Sequence, residues 1–171
     1  EVLLDKDKKK IKKFLKDLGY YFSSVDISIE ELEDNKINLT YNISLGEKAK
    51  IKKISFIGEK VFKDKKLKGV ILSEEYKPWK FLSGKKYLNE NMIKYDERLL
   101  KNFYLNKGYY NVIVNSSFAK MTENQEFELI FNIDANPKLF FGDLKIDLPS
   151  DFSETNYSDV KKFLKKLENE P

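Results

Sequence analysis

No cysteine and no histidine occur among these 171 residues. Without thiols, disulfides cannot hold the fold and thiol chemistry is excluded. Without imidazole the chain lacks the usual general base near neutral pH, the usual activator of a serine nucleophile and the commonest transition-metal ligand. Zinc sites, Cys–His pairs and Ser–His–Asp triads are therefore excluded. No Gly-rich phosphate loop, metal-ligand spacing or paired-acid signature takes their place, so neither catalysis nor a cofactor is expected. Arginine is nearly missing too, since Arg98 is the single one among 32 basic residues. A net charge of +4 invites a nucleic-acid reading. The guanidinium fork that best grips phosphates and base edges is what the chain lacks, and its wealth of Lys, Ile and Asn is what AT-rich codon use produces. No apolar run approaches the ~20 residues of a membrane-spanning helix. No secretory leader is visible and the first residue is Glu1, as in a piece cut from something longer.

What the chain has is a repeat. The run IKKFLKDLGYYFSSVDISI from Ile11 returns as LLKNFYLNKGYYNVIVNSSF from Leu99. Gly19-Tyr20-Tyr21 falls on Gly108-Tyr109-Tyr110. Further on, Ile37, Leu39, Tyr41 and Ile43 fall on Phe127, Leu129, Phe131 and Ile133. A long period carrying a helix, a Gly stop and two alternating strands marks a tandem array of small α+β units.

The elements follow from periodicity. Ile11, Phe14, Leu15 and Leu18 make one apolar stripe on a helix over 6–18, whose other face carries lysines from Lys6 to Lys16. That face is solvated or set against an acidic surface. Gly19 closes the helix in a left-handed conformation. Val25, Ile27 and Ile29, then Ile37, Leu39, Tyr41 and Ile43, alternate with polar residues as a hairpin with one wet face, turned at Glu33-Asp34-Asn35. A strand over 50–57 ends at Gly58. A helix over 63–72 and a loop over 73–87 with Pro78 and Trp79 follow. A helix over 90–107, capped by Asn89, stops at Gly108. A second hairpin is expected at 109–121 and 125–135, turned at Thr122-Glu123-Asn124, then a strand over 139–148 and a helix over 157–168. The order is αββ (1–48), βααββ (49–137) and βα (138–171). The middle unit is complete, and the two ends together hold the elements of one more. Linkers at 46–49 and 135–138 are short, which restricts the angle between units and suggests an elongated array.

AKIKKISFIGEKVF, YKPWKFLSGKKY and RLLKNFYLNKGYYNVIV carry a likeness to a known family. A βααββ unit in tandem, its long helix ending in Gly-Tyr before a strand, resembles the POTRA domain. POTRA domains are the periplasmic repeats that precede the barrel in outer-membrane protein insertases. The aromatic loop resembles the third repeat of the BamA family. The resemblance implies a three-stranded sheet with two helices on one face and the strand over 109–121 at an edge. It implies no chemistry, but backbone pairing of an unfolded barrel precursor to that edge in the periplasm. It also implies docking of a BamB-like lipoprotein and other assembly-machinery subunits. Val114, Asn115, Ser116, Ser117, Phe118, Ala119 and Met121 lie in the matching stretch. The other reading is an ordinary strand packed within its own unit. Alternation puts Phe118 and Met121 on different faces, and an exposed one would favour docking. Trp79 and Phe81 form a contact loop or pack on their own domain. Tyr20, Tyr21, Tyr109 and Tyr110 read as core and sheet-end fillers. Other POTRA-bearing translocation or secretion proteins are the alternative, and a basic nucleic-acid module a more distant one.

Overall fold

The structure, a computed structural model, describes residues 2–79, 82–122, 125–145, 147 and 158–167. Helix α1 (Val2–Asp17) takes up the lysine-rich segment. It ends where Gly19 turns to φ +92°, a conformation open to glycine because it has no Cβ. Helix α3 (Glu90–Leu105) begins at Asn89, whose side-chain oxygen accepts from the Met92 amide at 2.9 Å, and ends ahead of Gly108 at φ +85°. The repeated Gly is thus the same stop used twice.

Strands β1 (Ser24–Leu32) and β2 (Lys36–Ser44) form an antiparallel hairpin. Asp34 and Asn35 both take positive φ in its turn, the pair of left-handed residues that a tight hairpin needs to match strand twist. Strands β3 (Lys50–Ile57), β4 (Ile113–Thr122) and β5 (Glu126–Asp134) form a second sheet in the order β3-β5-β4. There β5 runs parallel to β3 and antiparallel to β4.

One face of this sheet is the core. Phe127, Leu129, Phe131 and Ile133 of β5 are all buried, with Ile51, Ile54 and Phe56 of β3 beside them. The three-residue step from Ile51 to Ile54 breaks strict alternation, and the ladder shifts register there, so both isoleucines face inward. Helix α2 (Asp64–Lys68) adds Leu67, and α3 adds Ile93, Leu100 and Tyr104. Each such side chain contributes about 1.5–3 kcal/mol on burial. The two helices cover one face of three strands, as expected.

Several expectations change. The helix expected over 63–72 is the single turn Asp64–Lys68, closed by Gly69. The second hairpin starts at Ile113 because residues after Gly108 turn first, the Val112 amide bonding to the Tyr109 carbonyl. Its turn at Glu123 and Asn124 lies outside the described residues. Residues 139–145 and 147 form no strand, and Ile146 and Leu148 lie outside the described set. The physical reason is non-local. In the middle unit the first strand pairs with β5, whereas among the described residues none pairs with 139–145, and α4 (Ser158–Leu167) stands apart from any sheet pairing. Within the α1 stripe Leu15 is buried whereas Phe14 and Leu18 are exposed.

Gly58 offers a test. At φ +83° a Cβ would stand 2.5 Å from the Ile133 carbonyl oxygen, so Gly58→Ala should cost about 1–3 kcal/mol in urea unfolding. Gly46→Ala, also at positive φ but with open space around it, should cost about 1–2 kcal/mol at most.

Candidate partner-binding edge

A three-stranded sheet in the order β3-β5-β4 has two outer edges. Each presents a row of backbone N–H and C=O groups on which another strand can pair. The structure treats them differently.

The β3 edge is covered. The Tyr76 amide bonds to the Ile51 carbonyl at 2.6 Å and the Leu88 amide to the Ala49 carbonyl at 2.8 Å. Lys50 bridges Tyr87, and Glu75 accepts from the Ile54 amide at 3.0 Å. This cover is itself anchored. Asp96, fully buried on α3, accepts from the Leu72 and Ser73 amides at 2.6 and 3.1 Å, which fixes where the loop leaves α2. Lys68 holds Glu75 at 2.5 Å.

The β4 edge is bare. Among the described residues, β5 alone pairs with β4. Alternation sorts its side chains by face. Val114, Ser116 and Phe118 are half-buried toward the helices, and Asn115, Ser117 and Ala119 stand exposed on the other face. Phe118 is therefore not the exposed apolar residue that would have favoured docking through its side chain. Its ring stands edge-on to Tyr21 at 5.2 Å and to Phe127 at 6.2 Å. Met121 falls where the ladder shifts register between Lys120 and Thr122, and its side chain lies outside the described set.

Tyr21 reaches Phe118 from the preceding unit, so the edge strand also forms the joint. Phe22 stacks on Phe127 at 5.6 Å. The Ala49 amide bonds to the Gly19 carbonyl at 2.9 Å. Asn89 donates to the Asp17 carbonyl while capping α3, and Lys16 lies 4.4 Å above the Tyr21 ring. Burial first, then the Glu90 carboxylate, pushes the Tyr21 hydroxyl above its ordinary range. The repeated Gly-Tyr-Tyr was the signal for these joint residues. For Glu75 and Tyr76 the aperiodic loop gave none, and the apolar period of α3 gave none for Asp96.

Trp79 is 71% exposed with Lys77 5.8 Å from its ring centre, and Leu82 is 91% exposed. Trp79 does not pack on its own domain, and Phe81 lies outside the described residues. Among the described residues, no helix is long and apolar enough to cross a membrane.

An αββ unit followed by a βααββ unit, each long helix closed by Gly-Tyr, with one sheet edge covered and one bare, defines a tandem α+β repeat. The family model for POTRA, surface antigen variable number repeat, matches residues 2–46 and 49–136, and the chain belongs to this family. It is 30% identical over 118 residues to the outer membrane protein assembly factor BamA of Buchnera aphidicola, covering 69% of this chain and 19% of that protein. It is 23% identical over 152 residues to BamA of Neorickettsia risticii, covering 88% and 20%. The chain thus spans about a fifth of the length of the curated relatives it matches. Among solved structures, the POTRA3–5 segment of Haemophilus influenzae BamA aligns with a TM-score of 0.51 at 16% identity, covering 91% of this chain and 59% of that one. Haemophilus ducreyi BamA lacking POTRA domains 1–3 aligns with a TM-score of 0.50 at 21% identity, covering 78% and 23%. These structural likenesses show the fold.

Two carboxylates give the sheet an acid sensitivity. Burial raises the Glu75 carboxyl, but hydrogen bonds from Lys68 and the Ile54 amide, with the Lys68 and Lys77 charges, outweigh it and hold it below the ordinary 4.5. Hydrogen bonds from Lys53 and Ser55 hold Glu128 below it too. A depressed carboxylate contributes stability above its unfolded value and loses it as pH falls through the folded one. The urea midpoint should therefore fall as pH drops below 4.5, and less steeply in a Glu75→Gln, Glu128→Gln double variant. Equal slopes would contradict this account.

Proposed function

We propose that this chain is a periplasmic scaffold of the machinery that assembles outer-membrane β-barrels. It takes no part in covalent chemistry. It receives unfolded barrel precursors as an added strand on β4, and BamB-like lipoproteins and other assembly-machinery subunits dock on the same edge. The observation that supports this reading is the asymmetry of the sheet: β3 is covered by Glu75, Tyr76, Tyr87 and Leu88, and among the described residues β4 pairs with β5 alone.

The physics suits many clients. Barrel strands alternate apolar and polar residues, and a strand added to an edge is held by main-chain hydrogen bonds that do not depend on sequence. The exposed Asn115, Ser117 and Ala119 are small or uncharged and leave room for an incoming strand. Ion pairs Lys52–Glu126 and Lys53–Glu128 on this face keep its centre polar, which favours pairing at the edge over adsorption on the face. The family and its BamA relatives support the assembly role. Exposed Trp79 and Leu82 supply a second, side-chain contact at the far end of the unit.

The test is an amide-shift titration of the full chain with an alternating barrel-strand peptide. Shifts should concentrate in 113–122, survive a shuffle that keeps the alternation, and vanish when alternate peptide amides are N-methylated on one edge. Shifts confined to the loop around Trp79, or binding that survives methylation of either edge, would overturn strand addition.

A further inference from the structure

The two outer strands of the complete sheet differ on the face they share. β3 and β4 both turn a row of side chains toward the helices. The β3 row, Ile51, Ile54 and Phe56, is buried, whereas the β4 row, Val114, Ser116 and Phe118, is half-buried. Val114 and Phe118 pack against the core without being enclosed by it. The difference follows the edges. The segment along β3 closes its row from the side, and nothing among the described residues does so for β4.

The cover on β3 shows what closing such a row takes. Leu88 gives its amide to the Ala49 carbonyl at 2.8 Å, and its side chain is fully buried in the core. Tyr87, one residue back and extended, bridges Lys50 and stays half-buried. Backbone pairing and an inward apolar side chain thus arrive together on one extended segment, whose next side chain points the other way.

The bare stretch of β4 has definite ends. Its ladder with β5 runs unbroken from Ile113 to Lys120, eight residues, and shifts register before Thr122. Ahead of Ile113 the chain turns, the Val112 amide bonding to the Tyr109 carbonyl at 3.3 Å. A membrane-spanning barrel strand has ~9–11 residues, so the edge has room for one. Near its far end Phe118 is braced from the preceding unit by Tyr21, edge-on at 5.2 Å.

We infer that β4 selects its client by side-chain pattern as well as by backbone. This rests on strand addition at β4, proposed above, and adds what is selected: a single strand of a barrel precursor with apolar side chains at alternate positions. Those side chains lie against Val114 and Phe118 and close the half-buried row, as Leu88 closes the row of β3. The polar ones lie beside Asn115, Ser117 and Ala119, on the face that carries the Lys52–Glu126 and Lys53–Glu128 pairs. Main-chain bonds hold any extended segment, but cross-strand neighbours on one face add to them only where they match. Phe118 is the specificity-determining residue, and Tyr21 is a positioning residue that sets its ring.

The test uses two peptides of about ten residues and one composition, the first with apolar residues alternating and the second with them in a single block. Each is titrated into the full chain and followed by amide shifts. Both should shift 113–122, and the alternating peptide should bind about tenfold tighter. Phe118→Ala should bring that ratio down to about twofold or less, and Phe118→Leu should keep most of it. Tyr21→Ala should lower the ratio and Tyr21→Phe should leave it. A ratio of two ligands on one protein does not change when part of the protein merely unfolds. Equal affinities for the unsubstituted chain, or a ratio untouched by Phe118→Ala and Tyr21→Ala, would overturn selection by pattern and leave strand addition standing. No shifts in 113–122 with either peptide would overturn both.

Discussion

Strand β5 is hydrogen-bonded on both sides, parallel to β3 and antiparallel to β4, and the rest of the middle unit follows from that insertion. Because the last strand sits in the centre, the two helices between β3 and β4 must cross one face to bring the chain round. That face becomes the core, and β5 supplies its densest row: Phe127, Leu129, Phe131 and Ile133. The same insertion sends β4 to the margin. An open edge is thus not an accessory of the fold but a consequence of its strand order.

An open edge is a hazard as well as a tool. This unit exposes one and covers the other, with Glu75 and Tyr76 bonded along β3 and Asp96 anchoring the segment that carries them. The joint ties the edge to its neighbour. Tyr21 on Phe118 and Phe22 on Phe127 link the strand that would meet a partner to the unit before it. Phe118 faces inward to do this, so what β4 offers outward is backbone and the side chains of Ile113, Asn115, Ser117 and Ala119. Sequence tolerance and a fixed joint therefore come from the same alternation.

Much of this was legible in the chain. The Gly-Tyr-Tyr pair and the period-two runs were enough to set the hairpins, the turn of the first and the helix stops, because these depend on local φ/ψ and on one buried face. Alternation also put Phe118 on the Val114 face. It could not say that a tyrosine from another unit lies there, since that contact joins residues far apart in sequence. The strand read over 139–148 failed for a related reason: alternation is local and pairing is not. The cover over β3 was invisible because the segment around Pro78 and Trp79 has no period. Trp79 itself, read as packed or as a contact, proved exposed, a matter of loop path rather than of composition.

Native-state amide exchange on the full chain tests the central claim most directly. If the sheet has one covered and one bare edge, the β5 amides exchange slowest. The Ile54 amide, bonded to Glu75, is protected with them. In β4 the amides that point away from β5 exchange roughly tenfold faster or more. Uniform protection along β4, or rapid exchange at Ile54 and Tyr76, would show that the edge held open for a partner has been assigned to the wrong side of the sheet.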